Sequence, residues 1–162
     1  MVMKKSFTVI ELIMVIVIVG ILAALAIPRF SSFYYIKFNG AMKKVISDIR
    51  YVQQLAISRH ESYNIIFNTA GETYEVRRAS DNSYAVNPFS RGNFIINFTT
   101  DPQYNGINIV SANFGATLQF DWRGIPRNGA GAPLSGEGSI SFSYQGNTIV
   151  IYVTPDTGRV RM

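Results

Sequence analysis

The chain is 162 residues long, 48% hydrophobic and 15% charged, with a formal net charge of +5; that length fits one domain with an appendage, and the composition argues against a disordered chain. It has no cysteine, which excludes a disulfide framework, a thiolate metal site and a thiol nucleophile. With Lys4 and Lys5 set aside as a separable basic end, the balance is only mildly basic and does not by itself announce nucleic acid.

The first predicted element is apolar. From Leu12 to Ile27 the chain reads LIMVIVIVGILAALAI, without a charge. Taken from Phe7 to Pro28, the run would rise about 33 Å as a helix, enough for a bilayer core. Lys4 and Lys5 precede it, so the basic end is expected to stay cytoplasmic and the rest to be exported; Arg29, just past the far end, weakens that bias without reversing it. Three readings compete: a secretory signal peptide ending at Ala24-Leu25-Ala26, a plain single-pass anchor, and a precursor that loses a short leader but keeps its helix. Glu11 separates them. A carboxylate inside an apolar span costs roughly 2.5–3.5 kcal/mol, and neither a signal peptide nor a plain anchor has a use for it. A helix that packs against copies of itself does: cleavage before Phe7 frees an α-amino group, and Glu11 can neutralise that amine on a neighbouring helix. Two opposite charges then offset much of each other's burial cost and fix the axial register.

The segment KKSFTVIELIMVIVIVGILAALAIPRF resembles the N-terminal motif of type IV prepilins: a short basic leader, then F-T-x-I-E-L, then an apolar helix with a proline near its end. The resemblance implies cleavage between Ser6 and Phe7 by a prepilin peptidase, N-methylation of Phe7, filament register set by Glu11 with Phe7, and a helix kink at Pro28. The family usually has glycine before the cut, where this chain has Ser6, which leaves slower cleavage or none as the two expectations. Gly20 and Pro28 weaken the helix locally. Both ordinary membrane-helix tolerance and a bend that suits packing in a filament core remain open readings.

Beyond Pro28 the pattern stays helical. Met42, Val45, Ile46, Ile49, Val52 and Ala56 recur at helical spacing, while Lys43, Lys44, Asp48, Arg50 and Gln54 fall elsewhere. One long helix is expected from near Phe7 to about Ser58, its outer half amphipathic and covered by a sheet. Strands are predicted at Tyr63–Phe67, Thr73–Arg77, Phe94–Phe98, Ile107–Val110, Leu118–Trp122, Ser139–Tyr144 and Thr148–Val153, with a short last one from Arg159. Hairpins are expected over Asn68–Glu72 and at Gln145-Gly146-Asn147. The stretch RGIPRNGAGAPLSGEG after Trp122 reads as an exposed, mobile loop.

The expected fold class is therefore α+β: a long N-terminal helix, membrane-spanning then amphipathic, packed on an antiparallel β-rich domain. In this order the chain resembles pseudopilin H of type II secretion and the FimT-like minor pilins. Phe120 to Gly124 resembles their late strand and glycine turn, and Gly158-Arg159-Val160-Arg161 resembles their terminal Gly-Arg-x-Arg. The resemblance implies a leader over 1–6, a filament-core helix over 7–30 and an exported pilin-like domain over 31–162.

Catalytic constellations are hard to find. His60, the single histidine, falls near the end of the amphipathic helix, where a positive charge complements the helix dipole. The ten carboxylates show no acid/base pairing. Asp156, near the Pro155–Gly158 turn, lacks the dense oxygen set of a calcium loop and reads as a turn residue. No phosphate-cradling glycine loop is present. Neither an enzyme nor a cofactor nor a metal is expected. Arg123, Arg127, Arg159 and Arg161 would form one basic patch if the C-terminal strand lay beside the Trp122 strand, and such a patch binds phosphate in a salt-sensitive way. The alternative for these arginines is a solvated strand end or subunit contact.

The expected function is structural: a minor pilin or pseudopilin in a type IV pilus or type II secretion filament. The alternative is a DNA-binding minor pilin of a DNA-uptake pilus. The implied partners are other pilins, the prepilin peptidase, an inner-membrane assembly platform, membrane lipid before assembly and, in the alternative, DNA. The implied location is the inner membrane with the N-terminus cytoplasmic and the domain exported, then a filament.

Overall fold

The computed structural model describes residues 8–26 and 29–162, with backbone alone at 26 and 29–32; Ser6, Phe7 and Pro28 lie outside the described residues. The chain forms two units, residues 1–36 and residues 37–162. The expected long helix is described in two parts, on either side of residues 27–28, which lie outside the described residues: α1 (Val9–Ala26) and α2 (Arg29–Arg59).

Helix α1 starts on a side-chain cap. The Glu11 N–H donates to the Thr8 carbonyl at 3.1 Å and to Thr8 Oγ1 at 3.4 Å. Thr8-Val9-Ile10-Glu11 thus has the Thr-x-x-Glu spacing of a capping box, with a carboxylate in the first turn where the helix dipole favours it. Beyond Glu11 the helix is apolar around its whole circumference, and its large side chains are exposed, from 50% at Ile13 to 76% at Val9. Among the described residues no helix is long and apolar enough to cross a membrane. The 18 residues of α1 rise about 27 Å, short of the roughly 30 Å hydrocarbon core.

In the second unit, α2 buries Met42, Val45, Ile46, Ile49, Val52 and Ala56, the helical stripe read from the sequence, and extends it N-terminally with Phe38 and Ala41. Each large apolar side chain on that stripe contributes about 1.5–3 kcal/mol. The helix ends as the Schellman motif requires: the Glu61 N–H reaches the Ala56 carbonyl and the His60 N–H the Ile57 carbonyl, with His60 left-handed at φ 54°.

The single sheet expected over this stripe is instead two. β1 (Tyr63–Asn68), β2 (Thr73–Arg78), β3 (Ile95–Asn97), β5 (Thr117–Phe120) and β6 (Pro126–Asn128) form one sheet, in the order β3-β2-β1-β5-β6. β4 (Asn108–Ala112), β7 (Gly138–Tyr144), β8 (Asn147–Val153) and β9 (Val160–Arg161) form the other, in the order β4-β7-β8-β9. All pairings are antiparallel. The chain leaves the first sheet after β3 and returns at β5, a crossing that local pattern does not encode. Alternate strand residues face the core, as at Ile140, Phe142 and Tyr144 of β7. The two sheets meet through rings, Tyr74 against Phe98 and Phe98 against Phe142, the latter edge to face at 6.0 Å.

Two details correct the sequence reading. β6 lies inside the stretch expected to be irregular: Pro126 is opposite Phe120, and the Asn128 side chain accepts the Ala130 and Ala132 N–H groups at 3.0 Å. The turn between β7 and β8 has two residues, Gln145 and Gly146, at φ 49° and 80°, with Asn147 already paired to Tyr144; positive φ at both central positions is the type I′ pattern.

Each edge strand of the second sheet has one backbone group capped by a side chain. The Glu72 carboxylate accepts the Ile109 N–H of β4, and Arg50 Nη2 donates to the Val160 carbonyl of β9 at 2.8 Å.

Candidate functional site

Two places concentrate chemistry: the first turn of α1 and the loop after β5. In the first, Glu11 is the lone charge on an apolar helix and is exposed. The capping spacing with Thr8 gives it a local role that the sequence reading missed. Gly20 has no atom within 4 Å of where a Cβ would stand.

In the second, β5 ends at Phe120 and the chain turns at once, the Gly124 N–H donating to the Asp121 carbonyl at 2.8 Å and the Asp121 N–H to the Ile125 carbonyl at 3.0 Å. This tight loop folds around the buried Asp121 carboxylate. Its Oδ1 accepts the Arg123 and Ile125 N–H groups at 2.9 and 3.0 Å. Its Oδ2 accepts Arg127 Nε and Nη2 at 3.1 and 3.0 Å and Arg123 Nη2 at 3.3 Å. Burial pushes the carboxyl up, but the Ile125 N–H, the Arg127 guanidinium and Arg123 together outweigh it and hold the group below its ordinary range. Arg127 also donates to the Gly131 carbonyl, which fixes the β6 hairpin to the same carboxylate.

The condition stated for the basic patch is not met: β9 pairs with β8 and not with β5. Arg123 and Arg127 share Asp121, and Arg161 pairs with Glu137 through two contacts of 2.9 Å, its guanidinium over the Tyr152 ring. Arg159 is exposed, with no ion pair among the described residues. The loops that carry these arginines nevertheless meet, at a residue of α2. Gln53 Nε2 donates to the Gly124 carbonyl at 2.8 Å and to the Thr157 carbonyl at 2.9 Å. Gly124 and Gly158, at φ 80° and 64°, lie against this helix face, where a Cβ would collide with Ile57 and with Gln53 respectively. The glycine turn and the Gly-Arg-x-Arg ending are therefore two halves of one clasp.

Trp122, half exposed, stacks on His60 with centroids 6.1 Å apart and planes at 18°, and the Arg123 guanidinium lies 5.4 Å from its centroid. His60 thus serves as a left-handed helix cap with its ring against indole. Asp156 is exposed in the turn closed by the Gly158 N–H on the Thr154 carbonyl. Among the described residues no group of three or more His, Cys, Asp or Glu is arranged to hold a metal.

Asp48 is a correction. Placed on the polar face by the sequence, it is 3% exposed and accepts hydrogen bonds from Lys44 and from the buried Tyr74 hydroxyl. Burial first, and then the Asp48 carboxylate, push the Tyr74 hydroxyl well above its usual range.

No protein-family model matches the chain, and no curated protein matches its sequence. Among solved structures it is similar to the Pseudomonas aeruginosa (strain PAO1) type IV minor pilin FimU in two crystal forms. One matches with a TM-score of 0.55 at 12% identity, over 76% of this chain and 86% of that one. The other has a TM-score of 0.51 at 13% identity, over 76% and 90%. At such identities the likeness is one of fold, and the fold is α+β and type IV pilin-like.

Proposed function

We propose that this chain, pilin-like in fold, is a structural subunit of a type IV pilus or type II secretion filament, a minor pilin or pseudopilin assembled through its N-terminal helix. The observation that carries the reading is α1 itself: an exposed helix, apolar on every side, with a single carboxylate in its first turn. A helix hydrophobic all round belongs in lipid or in a packed helical core. Passing from one to the other keeps its surface out of water throughout.

In this reading residues 1–6 are a leader, 7–30 the anchoring and filament-core helix, and 31–162 the exported domain. A prepilin peptidase cuts between Ser6 and Phe7, Phe7 is N-methylated, and an inner-membrane platform drives assembly with other pilins. Glu11 meets the Phe7 amine of a neighbour, and Gly20 and Pro28 let the helix bend. The chain waits in the inner membrane with its domain exported. No catalytic role is proposed.

The test separates charge from capping, because glutamine also completes a capping box. Glu11→Gln and Glu11→Ala are expected to be excluded alike from filaments, and filament protein is expected to begin at methylated Phe7 by mass spectrometry. Normal incorporation of Glu11→Gln would reduce Glu11 to a local cap and sink the register role.

A second reading, capture of DNA at a filament tip, draws on the exposed Arg159 and half-exposed Arg123. It is weakened by the carboxylates already on Arg123, Arg127 and Arg161. Titrating DNA binding against salt discriminates: phosphate contacts predict a steep loss of affinity with salt and collapse in Arg159→Ala.

A further inference from the structure

Four consecutive residues of α2, Phe33, Tyr34, Tyr35 and Ile36, are exposed by 73%, 47%, 65% and 67%. At about 100° per residue they cover the whole circumference of the helix, so no single neighbouring face can hide them. Two residues further on the situation reverses. Phe38 is 1% exposed in the core of the second unit, and Lys37 Nζ donates to the Asn105 carbonyl at 3.0 Å. The core of the second unit thus begins with the aromatic at 38, while the side chains at 33–36 are exposed.

These four side chains belong to the same unit as α1, which is itself exposed and apolar on every side. Between Arg29 and Lys37 the sequence FSSFYYI has no charge. Its composition differs from that of α1, however: aromatic and hydroxyl-bearing where α1 is aliphatic. Tyrosine joins an apolar ring to a polar hydroxyl, an amphipathic side chain enriched in the layer between hydrocarbon and bulk water. We infer that Phe33–Ile36 form an aromatic collar lodged in the headgroup layer of the exported leaflet, which sets how deep the anchor sits before assembly. The inference rests on the membrane-anchor reading above and adds to it a depth-setting element and a lipid-interface ligand. The short rise of α1 gives the collar a purpose: an 18-residue helix that by itself falls short of the hydrocarbon thickness is held at its outer end by flanking interfacial side chains.

The test uses the full-length protein in phosphatidylcholine vesicles, with Trp122→Phe as background so that one introduced tryptophan reports position. Ile18→Trp marks the middle of α1 and Tyr35→Trp marks the collar. Lipids brominated near the headgroup are expected to quench Tyr35→Trp about twofold more than lipids brominated near the acyl terminus, with the opposite order for Ile18→Trp. If Ile18→Trp is quenched and Tyr35→Trp is not, the collar is wrong while the anchor stands. If neither is quenched, both fall. Should Tyr35→Trp emission follow protein-to-lipid ratio and ignore bromine position, the side chains face a second copy, and the collar is likewise overturned.

Discussion

Gln53, on the buried flank of α2, donates its side-chain amide to the Gly124 carbonyl at 2.8 Å, and the same nitrogen reaches Thr157 at 2.9 Å. One side chain thereby ties the loop after β5 in the first sheet to the turn before β9 in the second.

Gln53→Ala is expected to cost about 2 kcal/mol, from two lost bonds of roughly 0.5–1.5 kcal/mol each and the space left behind. Denaturant unfolding of the full-length protein in detergent measures the loss. Hydrogen exchange should speed up at Gly158, which closes its turn, more than at Ile140 in the middle of β7. Uniform acceleration across the domain would show that Gln53 acts only on global stability.

Gly158→Ala is expected to be more harmful than its size suggests. The backbone there is left-handed, and the new methyl would meet Gln53 and, at 3.0 Å, Phe120. Strain and overpacking together should destabilise by about 2–3 kcal/mol. Gly136→Ala is the control, since nothing lies within 4 Å of its added methyl; its midpoint should stay near that of the parent.

The Asp121 carboxyl is held below its ordinary value in the folded chain. The unfolded chain therefore binds the proton first as pH falls, so this group contributes stability above the unfolded value, and that contribution fades as pH drops below about 4. Asp121→Asn should lower stability at neutral pH and flatten this acid limb. An unchanged slope of stability against pH below about 4 would show that another carboxylate governs it.

Asp48→Ala removes the acceptor from both Lys44 and the buried Tyr74 hydroxyl. Leaving those groups unpaired should cost about 3 kcal/mol or more, whereas Tyr74→Phe leaves the Lys44 pair intact and should cost about 1–2 kcal/mol. Chemical denaturation of the two variants checks the ranking. In the parent, the raised Tyr74 hydroxyl favours the folded state below its unfolded value, and that support is lost as pH rises through the folded one.

What the sequence revealed tracks the range of the interactions. The α2 stripe from Met42 to Ala56 and the alternation at Ile140 and Phe142 are local patterns, and both were legible. Asp48 has Lys44 one turn away, but Tyr74, the buried partner that draws it into the core, is 26 residues away, so its burial left no local sign. β6 hid because it is only three residues long, Pro126–Asn128, paired to β5 with little apolar alternation to betray it. The condition set on the arginines, a C-terminal strand beside the Trp122 strand, was not met, since strand order depends on pairings far apart in the chain. Gly124 and Gly158 stood out as motif positions; their reason, a shared approach to Gln53, became visible only in three dimensions.

The capped edges of the second sheet have a consequence for crowding. Subunits gathered at high local density in one plane would meet repeatedly, and bare strands are what such encounters convert into irreversible cross-chain sheets. With the Glu72 carboxylate already on the Ile109 amide and the Arg50 guanidinium on the Val160 carbonyl, an approaching chain must first break an existing bond at those two points. At those two points the edges are thereby biased against strand-on-strand pairing.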